Sequence, residues 1–255
     1  MEPLNRQALS DAVYYYSTKI MRLSVVGIGP GGADYILPVA QQVLADADIV
    51  IGYSYYFQFI GHLLAEKCEC IGKDLTEEEA RAVLAVENCA PGKHVVVISS
   101  GDAGIYAMAS LVYQYASRHP EKEIDLQTIP GISAFIASAG KLGAPLGHDF
   151  CCISLSDLMT PWTTIEQRIK AAAFGDFVTS LYNPRSKKRF WQLERFKEIF
   201  LAHRSPDTPV AIIRQVTRPE ESILITTLKE LPVEAVDMFS LVMVGNSQTY
   251  QFKNF

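Results

Sequence analysis

The 255-residue chain is 49% apolar and 20% charged, with 23 Lys+Arg against 28 Asp+Glu for a formal net charge of −5. That length admits one large domain or two smaller ones, and an ordinary globular composition excludes both wholesale disorder and a mini-protein held by bridges. A mildly acidic chain lacks the global field of a protein that coats nucleic acid, so any basic patch is local.

Residues 1–20 show no basic region followed by a long apolar stretch, and Met21 directly precedes the first clear strand. They read as a loosely attached extension, or as sequence upstream of the true start. No later run reaches the ~18 apolar residues of a membrane span, so a soluble cytoplasmic protein is expected. RLSVVGIGP (22–30) reads as a buried parallel strand entering a Gly-rich loop, followed by a helix over 37–46 with Pro38 in its first turn and a strand over 47–53. A helix near 77–87, a strand at 94–99 and a helix from about 103 to 118, opening after Gly101-Asp102, continue the βα rhythm. A strand then leads to Pro130-Gly131. Short strands near 151–155, 177–182, 209–214, 222–227 and 240–245 suggest a mixed second sheet, its end closed by a hairpin-like excursion through TLKEL and DMFSLVMVGN. The expected division is an extension over 1–20, an N-terminal α/β domain over 21–130 and a C-terminal α/β domain over 131–255.

The five cysteines fall at 68, 70, 89, 151 and 152, in no zinc-ribbon or CxxC spacing, and read as ordinary thiols in a reducing compartment. The five histidines show no HxxxH or HxxE spacing and there is no GxSxG, so neither a metal site nor a serine hydrolase is expected. His148, in Gly147-His148-Asp149, is the histidine with a plausibly functional setting.

Three loops carry more specific signals. Gly27-Ile28-Gly29-Pro30-Gly31-Gly32 satisfies GxGxxG after a strand, which invites a dinucleotide site and a nicotinamide oxidoreductase. Pro30 removes an amide from that loop, however, and the acidic residue expected at the end of the second strand is missing, its place taken by Gly52-Tyr53. Ser100-Gly101-Asp102 lies where a parallel strand meets its helix, a place where ligands collect; Asp102 would serve there as an N-cap, as a site wall, or as both. Asn183-Pro184 reads as the cap and first residue of a helix whose first turns hold Arg185, Lys187, Lys188 and Arg189. Four cations at that end oppose the helix dipole, so they are either solvated or await an anionic ligand.

GIGPGGADYILP, IGYSYYFQFI, SSGDAGIYAMA, PGISA, GAPLGHDFCCISLSDLMTPW, SLYNPRSKKR, TPVAIIRQVTRPEE and MVGNSQT occur in the order seen in the tetrapyrrole (uroporphyrinogen/corrin) methyltransferases, which this chain resembles from Met21 to its end. LSDLMTPW and LYNPRSKKR are similar to the branch that methylates C17. The resemblance implies two α/β domains, the first with a mostly parallel sheet and the second mixed, with S-adenosylmethionine (SAM) between them, usually in a homodimer. It implies SAM contacts at Pro30, Ser100, Gly101, Asp102, Ile105, Ser133, Ala134, Tyr182, Asn183 and Val216. Many members have Met in place of Asn183 and Gly in place of Val216. Gly29 and Gly31 would face the macrocycle. The activity implied is methylation of a precorrin-3-type tetrapyrrole with ring contraction in cobalamin biosynthesis, leaving S-adenosylhomocysteine (SAH). A cobalt-containing ring is slightly favoured over a metal-free one. Asp102 and His148 are the candidates for proton transfer, and Arg185, Lys187, Lys188 and Arg189 for the substrate's carboxylates.

Overall fold

The structure is a computed structural model that describes residues 20–186 and 189–252. The chain divides at Ser133/Ala134 into two compact units. In the first, β1 (Met21–Gly27), β2 (Ile49–Tyr53), β3 (Glu69–Lys73), β4 (His94–Ser99) and β5 (Ile124–Ile129) form a parallel sheet in the order β3-β2-β4-β1-β5. Both faces are buried, which is why HVVVIS of β4 is apolar almost throughout and buried at every position. Leu23, Val25, Val95 and Val97 pack beneath α3 (Glu78–Glu87) and α4 (Ala109–Ala116). Val26, Val50, Val96 and Ile98 pack beneath α1 (Pro38–Ala45) and the short α2 (Phe57–Ile60).

The helix expected from residue 103 begins only at Ala109, with Met108 and not Asp102 at its N-cap. Tyr106 takes a left-handed φ of +52°, which a helix cannot contain, and the buried Ser99 hydroxyl accepts the Met108 N–H at 3.2 Å. Residues 103–108 are a turn-rich loop instead.

In the second unit, α5 (Ala134–Lys141) precedes β6 (Phe150–Ser154), α6 (Trp162–Phe174), β7 (Val178–Tyr182), α7 (Gln192–Leu201), β8 (Pro209–Arg214), β9 (Ser222–Thr227) and β10 (Ser240–Val244). The sheet order is β6-β7-β10-β8-β9, with β6 and β7 parallel and the other pairings antiparallel. The last strand therefore enters the middle of the sheet and does not close its end. SLVMV is buried at every position, whereas the hairpin strand β9 takes the edge with Ser222, Ile223 and Leu224 exposed. Ile153, Leu181, Val210, Ile212, Val242 and Val244 form one core with Ile165, Ile169, Phe196 and Phe200 of α6 and α7, while α5 packs on β10. Among the described residues no helix is long and apolar enough to cross a membrane.

A polar chain centred on the buried Ser24 and His94 and ending in the more exposed Gln127, Asp46 and Arg22 runs across the first sheet. Gln127 Nε2 donates to Ser24 Oγ at 2.9 Å, and Ser24 Oγ lies 2.8 Å from His94 Nε2. His94 Nδ1 faces the Asp46 carboxylate at 3.3 Å, and because a carboxylate only accepts, the neutral ring carries its proton on Nδ1 and its Nε2 accepts from the Ser24 hydroxyl; Asp46 also accepts from Arg22 at 2.7 Å. Burial, and then the Arg22 charge, lower the His94 pKa below its ordinary 6.5. The unfolded chain then binds the extra proton first, so this contribution to stability is complete above about pH 6.5 and is lost as pH falls through and below that value. Unfolding midpoints measured from pH 8 to 5 are expected to fall on the acid side, and His94→Gln, though less stable at pH 8, to show a flatter profile.

Candidate functional site

At the carboxyl edge of the first sheet the ends of β1, β4 and β5 approach so closely that only backbone fits. Gly29 N–H donates to the Gly101 carbonyl at 3.1 Å and Gly101 N–H returns to Gly29 at 2.7 Å. Both residues hold left-handed φ angles, +72° and +69°, and a Cβ on Gly29 would lie 2.5 Å from the Tyr35 carbonyl oxygen. Strand, loop and glycine thus follow one requirement: two main chains touching at positive φ. The same pairing disposes of the dinucleotide reading, because the Gly29 amide is spent on Gly101 and Pro30 has none to offer a pyrophosphate.

Asp102 ties this edge together. Its Oδ1 accepts from Gly104 N–H at 2.8 Å, an Asx turn, and its Oδ2 accepts from Gly131 N–H at 3.0 Å. It caps its own loop and the loop after β5, not a helix. Ser100 and Ile105 are half-buried beside it, Pro30 is buried, and Ser133 is buried at the end of the unit.

In the second unit the corresponding edge is formed by the loops after β6, β7 and β8. Tyr182 Oη accepts the Phe135 N–H at 3.2 Å, holding the first turn of α5 that Ala134 opens. Among the described residues the helix expected at Asn183-Pro184 is absent: Asn183 has φ +50°, and the next helix described is α7, beginning at Gln192. Asn183 Nδ2 donates to Ser154 Oγ at 3.0 Å, and its carbonyl accepts Nε and Nη2 of Arg189 at 3.2 and 3.1 Å. Arg189 is only 9% exposed, and Arg185 donates to the carbonyls of Val233 and Glu234 at 3.3 and 2.7 Å. With no helix there, the dipole conflict that singled out these cations disappears. Both arginines serve to hold main chain, and Lys187 and Lys188 lie outside the described residues.

Val216 is buried between two left-handed residues, Gln215 (φ +50°) and Thr217 (φ +66°). Glu221 fixes this kink by accepting Thr217 N–H at 2.6 Å while pairing with Lys141 at 3.1 Å. Burial raises the Glu221 pKa, but the Thr217 amide and Lys141 outweigh it and hold the carboxyl below its usual range. His148 is exposed in the loop after α5, on the wall of a cavity of about 440 Å³ shared with Val210, Ala211, Ile225 and Met243. Sequence reasoning missed Ser154, Arg189 and Glu221 as the groups that fix Asn183 and Val216. For Glu221 a signal was present in the Thr217–Glu221 spacing of TRPEE, but Ser154 and Arg189 act through partners that no local pattern names.

All five cysteines are free thiols, and burial raises the pKa of Cys68, Cys89 and Cys152 to about 11. Nucleophilic cysteine chemistry gains nothing from such groups. Among the described residues no group of three His, Cys, Asp or Glu side chains could hold a metal ion.

The chain belongs to the tetrapyrrole (corrin/porphyrin) methylases, whose family model matches residues 22–232. It is 44% identical to the cobalt-factor III methyltransferase of Priestia megaterium over 232 residues, which is 90% of this chain and 43% of that protein. It is 45% identical to the probable cobalt-factor III C(17)-methyltransferase of Salmonella typhimurium over 89% of this chain and 94% of that protein. The chain therefore spans under half of the first relative and nearly all of the second. The crystal structure of the methyltransferase CobJ matches with a TM-score of 0.88 at 39% identity, covering 92% of this chain and 98% of that one.

Proposed function

We propose that this chain transfers the methyl group of SAM to C17 of a precorrin-3-type tetrapyrrole and couples that transfer to ring contraction in cobalamin biosynthesis, with a cobalt-containing ring as substrate. The observation that carries the reading is a glycine-walled, main-chain edge, pinched by the Gly29–Gly101 pair, in a chain of this family. The names of the two relatives above support the C17 position and the cobalt-containing ring.

SAM supplies a methyl carbon made electrophilic by its sulfonium; the ring carbon bonds to it as the carbon–sulfur pair departs to sulfur, leaving SAH. The protein's task is alignment and exclusion of water, so a strong base is not needed for the transfer. In this reading Pro30, Ser100, Gly101, Asp102, Ile105 and Ser133 of the first unit, and Ala134, Tyr182, Asn183 and Val216 of the second, contact SAM. The walls fit such a ligand: at Gly29 a Cβ would collide with backbone, and peptide carbonyls suit a dispersing sulfonium charge better than fixed ions do. Gly29 and Gly31 face the macrocycle, Arg185 and Arg189 border its carboxylates, and assembly as a homodimer in the cytoplasm completes the reading. The free thiols fit a reducing compartment.

Asp102 acts as a positioning residue, since each of its oxygens already accepts a backbone amide. Asp102→Asn replaces one acceptor with a donor facing an N–H, and is expected to cost about 1–3 kcal/mol in denaturant melts and to weaken SAM binding in calorimetry. Loss of ring contraction at unchanged stability and SAM affinity would instead make it a proton-transfer group. His148, the other candidate, precedes β6 and lies at the opposite edge of the second sheet from Tyr182 and Asn183, beside the start of β8, so it is set aside for that transfer; full contraction by His148→Ala is expected.

The reading as a whole is tested by incubating the protein under strict anoxia with labelled SAM and either a cobalt-containing or a metal-free precorrin-3-type ring. One label per ring, equimolar SAH and the spectrum of a contracted ring from the cobalt substrate are expected. Transfer to the metal-free ring alone would reverse the substrate assignment, and no transfer to either would overturn the proposal.

A further inference from the structure

Two loops at the carboxyl ends of the parallel pair β6–β7 expose large apolar side chains that no core explains. Leu158 and Met159, in the loop leaving β6, are 81% and 75% exposed; Phe190 and Trp191, at the end of the segment leaving β7, are 58% and 43% exposed. The loops are tied to each other. Gln192 Nε2 donates to Asp157 Oδ2 at 3.1 Å, and the Trp162 and Trp191 rings meet edge to face at 4.7 Å between centroids. Leu155 N–H donates to the Tyr182 carbonyl at 3.0 Å, fixing the root of the first loop against the end of β7. Rigidly rooted loops with wet apolar tips mark a binding surface more often than a packing fault.

We propose that Leu158, Met159, Phe190 and Trp191 form the surface that receives the apolar face of the methyl acceptor's macrocycle. The inference rests on the function proposed above and names part of its substrate site. The occupant follows from what borders the patch. The segment leaving β7 begins at Tyr182-Asn183, where the methyl donor is proposed to lie, and an acceptor must reach that donor. Between Asn183 and the exposed rings the sequence carries Arg185, Lys187, Lys188 and Arg189; the carbonyls that hold the two arginines are neutral and leave both guanidiniums charged, and positive charge along this segment suits a flat apolar ring with a carboxylate rim. A second copy of a chain with net charge −5 brings the acidic charge without the flat ring, and is the competing occupant.

Both tryptophans of the chain, Trp162 at the start of α6 and Trp191 at the cap of α7, stand at the ends of these loops with their rings in contact, so their emission reports ring binding without a label. The test titrates uroporphyrin, as an unreactive acidic tetrapyrrole, and the cobalt-containing precorrin-3-type ring into the wild type, a Leu158→Ser/Met159→Ser variant and a Phe190→Ser variant. SAH affinity is measured calorimetrically on each. Loss of ring affinity by about tenfold or more in both variants, with SAH affinity held within about twofold, is expected. Unchanged ring affinity in both variants overturns the proposal, and a shift in sedimentation alongside it assigns the patch to a second copy of the chain. Wild-type turnover with unaffected variants sinks the patch alone; a wild type that neither binds nor methylates either ring sinks the function with it.

Discussion

Gly27→Ala is expected to abolish measurable SAM binding and to destabilise the first unit, although it adds a single methyl group. That Cβ would lie 2.7 Å from the Gly101 carbonyl oxygen, 2.7 Å from the Gly131 nitrogen and 2.9 Å from the Ala103 nitrogen. All three neighbours are backbone, so no side chain can swing aside. Relief requires the ends of β1, β4 and β5 to spread, which breaks the Gly29–Gly101 pair or the Asp102 bond to Gly131. Overpacking of this kind costs about 1–3 kcal/mol, and misplacing a binding wall by ~1 Å costs about a hundredfold in function. Gly61→Ala is the control, since nothing lies within 4 Å of the added carbon. Calorimetric titration with SAM and denaturant melts on both variants check the expectation, and wild-type SAM affinity in Gly27→Ala would contradict it.

The largest stability loss is expected from Arg204→Met. The Arg204 side chain is 3% exposed, and its guanidinium donates to the carbonyls of Ala172 and Ala173 at 3.0 Å each and to those of Phe177 and Gly245 at 3.1 Å each. It also pairs with Asp176 at 2.8 Å and lies over the Phe200 ring at 5.4 Å. One side chain therefore joins the end of α6, the start of β7 and the end of β10. Asp176 is 41% exposed and can hydrate when abandoned, so the loss comes mainly from the buried carbonyls left without donors. We expect a cost of about 3–5 kcal/mol and a fall of roughly 10 °C in the thermal midpoint. Arg204→Lys keeps the charge but loses the planar fork that reaches several carbonyls together, and is expected to recover a minor part of it. Thermal and urea unfolding of the two variants measure both effects.

Much of the architecture was legible because burial on both faces leaves a plain record. VVGIG and HVVVIS read as parallel strands from their apolar continuity, and Pro38 marked the start of α1 as a helix-opening proline should. The failures share a physical cause. Asp102 and Asn183 are both good N-cap residues, and each is used by tertiary partners in another way: Asp102 by the Gly131 amide, Asn183 by Ser154 and Arg189. Tyr106, Asn183, Gln215 and Thr217 occupy left-handed backbone without being glycine, a cost that distant contacts must sustain and that no local pattern shows. The place of β10 in mid-sheet likewise depends on which strand it pairs with, not on its own residues. In the candidate site the glycines could be read directly, whereas the bonds that Arg185 and Arg189 make to the carbonyls of Val233, Glu234 and Asn183 depend on how the chain folds back and leave no local pattern.

The most direct test of the central claim, a methyl donor held by peptide backbone at glycine-walled strand ends, is a crystal structure of the full chain with SAH. The account predicts SAH against the main chain of Ser100, Gly101, Ala134 and Asn183, with Val216 as an apolar wall and no charged side chain at the sulfur. SAH bound elsewhere, or held chiefly by ionic side chains, would contradict it.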